Sequence, residues 1–224
     1  MSAERDDGAH AVRTRIAAAT QADHHALHVH PWLRRLSAPD LTLREYSVLL
    51  QAYCAFFSRI EQARQALCVF ETLSLDRTLA ALRADLRCLA VPLEPVSAGD
   101  PATPDHPRAV LAALYVLHGA QFGGQVLRGK VAGVLPGAPR HFFGGAQDRR
   151  LWATLLTELE RHGRDDAGCQ ALCRAAAQTF RDFGQFVTEH CIAEFSASPM
   201  FGQLPPMTFS KTPPVIGEEA GSGR

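Results

Sequence analysis

Residues 114–134 read LYVLHGAQFGGQVLRGKVAGV. Apolar residues recur through this run at three- and four-residue spacing, the period of a helix, yet Gly119, Gly123 and Gly124 fall inside it. An interior glycine costs a helix about 1 kcal/mol relative to alanine, so three within six residues require a cause. One cause is close contact with another helix, because Gly119 and Gly123 form a small-xxx-small pair. The other is close approach of bare backbone to a flat ligand, with the bend of a Gly-Gly pair opening space beside it. Both readings stand on this stretch alone. A phosphate-binding loop does not, since neither a preceding strand nor a Lys-Ser/Thr pair accompanies the glycines.

Outward from this run the helical period persists, and no stretch alternates in the manner of a strand. The spacing predicts helices over about 11–28, from 43 onward after a cap-like Asp40–Thr42 stretch, and over about 75–89, 108–134, 149–161 and 167–195. Pro31 is expected to end the first. The second carries Tyr46, Leu49, Leu50, Tyr53, Phe56, Phe57 and Ile60 on one apolar face. VPLEPVSAGDPATPDHP, with five prolines, is a connection. The fold class is therefore all-α, a single-domain multi-helix bundle over residues 10–200. Residues 1–9 and the Pro/Gly-rich tail 201–224 are expected to be disordered.

Composition narrows the function. With 224 residues, 46% of them hydrophobic, one domain can bury a full core. Lys plus Arg and Asp plus Glu number 23 each, so bulk charge holds the chain to neither nucleic acid nor an anionic membrane. No run approaches about 20 unbroken apolar residues, and MSAERDDGAH lacks the apolar centre of a secretory signal, which predicts a cytoplasmic protein. The six cysteines, Cys54, Cys68, Cys88, Cys169, Cys173 and Cys191, lie in helical text and read as reduced core thiols. Cys169 and Cys173 share a helix face, but no second ligand pair accompanies them.

A second run, RTRIAAATQADHHALHVHPWL, places histidines at 24, 25, 28 and 30. His24 and His28 lie one turn apart on one face, and His25 about 100° away. A neutral imidazole is a standard ligand of haem iron, and here it stands on a helix lined with small alanines.

Taken together, the two runs resemble the haem oxygenase family, in particular its bacterial, bacteriophytochrome-associated branch. Thr20-Gln21-Ala22-Asp23-His24 is similar to that family's proximal motif. Residues 115–127, YVLHGAQFGGQVL, are similar to its distal helix. Weaker echoes follow in the same order through residues 11–195: Tyr46 and its Leu-rich helix, LRADLRCLAVPLEP, Trp152 with its trailing leucines, and AAAQTFRDF.

The resemblance implies a haem oxygenase-like bundle in which His24 ligates the haem iron. It puts Gly119, Ala120, Gly123 and Gly124 on the distal, catalytic side, with Tyr115 beside them. Haem would be both substrate and cofactor. Dioxygen and electrons from an external donor, a ferredoxin or a reductase, would convert it to biliverdin, carbon monoxide and ferrous iron, and a phytochrome is a conceivable acceptor of the bilin. Haem propionates would be held by Arg13 or Arg15, since Ala17 stands where the family has a base, and by Arg149 or Arg150 later on. Three further positions depart from the family: Ala120 replaces a Ser or Asp, and His28 and His118 stand where acidic residues are common. Ala120 favours the alternative of a non-catalytic haem carrier or sensor. A di-iron oxidase or thiamin-degrading enzyme of the same superfamily would need several carboxylates and histidines, such as Glu61 with His24 and His28, but no paired Glu-x-x-His signature is present.

Overall fold

A computed structural model describes residues 11–91, 103–145 and 148–197. The expected disorder of 1–9 and 201–224, and most of the five-proline connection, lie outside the described residues. Nine α-helices are described: α1 (Ala11–Ala19), α2 (Gln21–His28), α3 (Pro31–Arg34), α4 (Leu43–Ala66), α5 (Asp76–Cys88), α6 (Pro107–Val134), α7 (His141–Gly144), α8 (Arg149–His162) and α9 (Asp166–Ala197). No strand occurs among the described residues.

The long helices begin where their capping chemistry says they should. Thr42 and Glu45 form a reciprocal capping box at the start of α4, with Thr42 Oγ1 accepting from Glu45 N at 3.2 Å and the Glu45 carboxylate accepting from Thr42 N at 2.8 Å. Asp148 accepts from Arg150 N and Leu151 N at the head of α8. Every residue predicted for the apolar face of α4 is buried, and Tyr46, Leu49 and Leu50 have no solvent exposure.

Three long helices make the centre of the core. α6 runs along α9, α4 packs on both, and α5, α7 and α8 cover the remaining flanks of α4 and α6. α6 is long and apolar enough by composition to cross a bilayer, yet its N-terminal half, including Val110, Leu111, Leu114, Val116 and Leu117, is buried against its neighbours. α1 lies over α8 and α9, and α2 over α9.

Three expectations are corrected. The first predicted helix is two: Thr20 stands between α1 and α2 with φ −104° and ψ 3°, its hydroxyl donating to Ile16 O at 2.9 Å in competition with its own N–H. Such back-bonding bends helices. Pro31 does not merely stop a helix. It is the first residue of α3, a position where its missing N–H costs nothing, and His30 caps that turn. Finally, all six thiols are free, but only Cys54, Cys169 and Cys191 are buried; Cys173 is half-buried, and Cys68 and Cys88 are exposed.

Candidate functional site

The kink at Thr20 aims α2. None of the α2 residues is buried, so its histidines stand clear of the core. His24 packs edgewise on Phe180 of α9, with ring centroids 5.6 Å apart, and on His28 at 4.5 Å. Partial desolvation, followed by repulsion from His28 and His25, lowers its pKa, so the imidazole is neutral at pH 7 and its lone pair is free for a metal.

The helix that carries His24 is anchored at both ends. At its head, Asp23 pairs with Arg181 of α9 at 3.2 Å. Beyond its tail, His30 Nδ1 accepts from Leu33 N, which leaves the proton on Nε2, 2.9 Å from Thr188 Oγ1. Between them, Leu27 reaches so near Gly184 that a Cβ there would lie 3.1 Å from Leu27 Cδ2. Sequence reasoning gave no role to Gly184, Phe180 or Thr188; Phe180 lies inside the AAAQTFRDF echo, and an isolated glycine in a long helical run was the signal for Gly184.

The glycines of α6 separate into different roles. A Cβ on Gly124 would stand 3.2 Å from the carbonyl oxygen of Phe143, so here helix backbone meets the backbone of α7. A Cβ on Gly119 would make an ordinary contact with Trp152 at 3.9 Å, and one on Gly123 would meet nothing within 4 Å. Around them Ala120 is exposed, as are Phe122 and Val126, at 51% and 66%. An apolar stretch of α6 is thus uncovered beside the bare backbone of Gly123.

The remaining predicted residues scatter. Arg13 lies near the Tyr115 hydroxyl, where its charge opposes the rise in pKa that burial causes, and Tyr115 stacks on Trp152 at 5.7 Å. Arg15 is held by Asp166 at 2.6 Å. Arg149 is exposed at the first residue of α8. Arg150 lines a cavity of about 640 Å³ with His118, Gln121 and Trp152, which includes neither His24 nor Gly123. His118 is buried, with Nε2 3.1 Å from Leu73 O, so it ties α6 to the turn before α5. Glu61 is fully engaged by Arg64, Gln65, Ser74 and the Leu75 N–H. Among the described residues no three His, Cys, Asp or Glu side chains gather to hold a metal, so the carboxylate-rich site of a di-iron enzyme is not assembled there.

No family model and no curated protein matches the chain. Solved structures do. A haem oxygenase from Leptospira interrogans superposes with a TM-score of 0.63 at 20% identity, over 80% of this chain and 98% of that one. Haem oxygenase-1 from the cyanobacterium Synechocystis, in complex with haem, superposes with a TM-score of 0.63 at 14% identity, over 83% of this chain and 95% of that one. At these identities the likeness is one of architecture, and it establishes that this chain has the all-helical fold of the haem oxygenases.

Proposed function

We propose that the chain is a haem oxygenase, with His24 as the proximal ligand and the Gly119–Gly123–Gly124 segment of α6 as the distal wall. The observation that carries the reading is the pairing of two unusual exposures in one fold: a neutral imidazole on a helix with no buried residue, and a helical glycine whose missing Cβ faces open space. A flat macrocycle bound through one imidazole fits both.

When bound, haem supplies the redox chemistry: with dioxygen and electrons from an external donor such as a ferredoxin or a reductase, it is opened to biliverdin, carbon monoxide and ferrous iron. The chain supplies position. Thr20 sets the angle of α2, and the Asp23–Arg181 pair and His30 fix it on α9, so His24 presents its ring in one orientation. Phe180 limits rotation of that ring. Gly123, where a Cβ would meet nothing within 4 Å, would offer the macrocycle peptide groups without a side chain. Because Ala120 brings neither hydroxyl nor carboxylate, a proton needed there would have to come through water held by backbone groups. Arg13, beside Tyr115, is the cation best placed for a propionate, whereas Arg15 is already neutralised by Asp166. The reading places the enzyme in the cytoplasm, and a bilin-accepting phytochrome is a natural downstream partner.

Exposed Ala120 supports a second reading, a carrier or sensor that binds haem without opening it. Haem addition followed by a reductant in air separates them. A Soret band that decays into a bilin spectrum is the expected result; a Soret band that persists leaves the carrier, and none at all removes both.

A further inference from the structure

His28 is given no contact with haem in this reading, yet it stands one helical turn from the proposed ligand. We propose that His24 and His28 chelate one divalent first-row transition ion in the haem-free chain, so that the ion and haem compete for the His24 imidazole. The competition rests on the haem reading above; the ion site does not.

Histidines at i and i+4 lie on the same helix face. Both are exposed here, and their ring centroids are 4.5 Å apart with planes at 84°. A metal–nitrogen bond of about 2.0–2.1 Å puts an imidazole centroid about 3.2 Å from the ion, so two imidazoles whose bonds meet at 90° at the ion, as in octahedral or square-planar coordination, have centroids about 4.5 Å apart. The two rings already stand at that separation. The nitrogens converge when the rings turn about their broad terminal torsions, and the exposed His28 ring can make most of that turn while Phe180 steadies the His24 ring.

Other groups nearby do not complete a tighter cage. Asp23 is committed to Arg181, His25 points about 100° away, and no third ligand joins among the described residues. Water therefore fills the remaining positions. Two imidazoles at a right angle about the ion, plus water, suit nickel or copper rather than calcium or magnesium, which prefer all-oxygen shells. The ion would occupy the lone pair that haem iron needs.

The test uses the full, untagged, haem-free chain and Ni²⁺ alone, followed by calorimetry, with circular dichroism to confirm that each variant keeps its helices. One ion per chain is expected. His24→Ala and His28→Ala should each weaken it by about tenfold or more, and His25→Ala should not. Haem titrated in saturating Ni²⁺ should then bind wild type about tenfold more weakly than without nickel, while His28→Ala, which retains His24, should show no such effect. Nickel affinity unchanged in His24→Ala or His28→Ala, or lost equally in His25→Ala, overturns the ion site whatever haem does. Nickel binding that depends on both histidines in a chain that never binds haem upholds the ion site and refutes the haem reading.

Discussion

The imidazole of His24 rests against Phe180 and His28, whereas His25 is one residue further round the same exposed helix. His24→Ala should therefore abolish the imidazole-ligated haem spectrum with little change in helical content, because α2 buries neither residue and alanine favours helix. The same loss in His25→Ala instead would shift the ligand by one position. The glycines give a finer contrast. Gly123→Ala removes an intrinsic cost of about 1 kcal/mol and meets no neighbour, so the haem-free protein should melt slightly higher while haem binding or turnover declines. Gly124→Ala forces α7 to give by a few tenths of an ångström, and Gly124→Leu overpacks the contact at a cost of about 1–3 kcal/mol, so both should lower the melting temperature without haem. Equal thermal effects at 123 and 124 would contradict this division. The sequence alone left the two meanings of the glycine run open, since periodicity assigns residues to sides of a helix without saying what occupies each side.

At the scale of elements, helices with caps and long apolar faces were legible: α5, α6, α8 and α9 start and stop within one or two residues of expectation, and α4 starts where it was expected. α3 and α7, at four residues each, were not, because a single turn has no period to detect. α7 exists through a partner distant in sequence. Its own N-cap residue, Arg140, makes no side-chain cap bond, and fully buried Asp85 of α5 supplies it, accepting from His141 N and Phe142 N at 2.9 Å each and lying 2.6 Å from His141 Nδ1. The helix so fixed packs Phe142 and Phe143 on Tyr53 and brings the Phe143 carbonyl to Gly124. Asp85→Ala leaves amide donors unpaired and should cost about 1–3 kcal/mol. Urea denaturation measures that loss, and proteolysis near α7 should accelerate beyond what the global change explains. A variant as stable as wild type, with α7 equally protected, would mean the cap is dispensable. The kink at Thr20 escaped prediction for a related reason: a threonine back-bond is one of several rotamers open to a helical threonine, and only the packing of α2 on α9 selects it.

Across the whole molecule, histidines link folding to pH. Burial lowers the pKa of His118 despite the Leu73 carbonyl, Glu61 and Asp148, which act to raise it, and burial likewise lowers His30 and His190. Each is held neutral in the folded chain below the ordinary histidine value of about 6.5 and regains that value on unfolding. The sign follows. Above about pH 6.5 neither state is protonated and the full stability is present; below it the unfolded chain takes up protons that the folded chain refuses, so stability falls as pH falls. One such group lowers stability by up to about 1.4 kcal/mol per pH unit until its folded pKa is reached, with the partly exposed His30 and His190 contributing less. Carboxylates with lowered pKa, such as Glu61, lose their contribution only in more acid solution, so the interval from pH 7.5 to 5.5 isolates the histidines. Urea midpoints across that interval should decline in wild type, and less steeply in His118→Gln, whose amide can still donate to Leu73 O but cannot titrate. His118→Gln removes no group from His24 or Gly123, so its haem spectrum should match wild type throughout. Parallel pH slopes in the two proteins would show that His118 is not a source of the acid sensitivity.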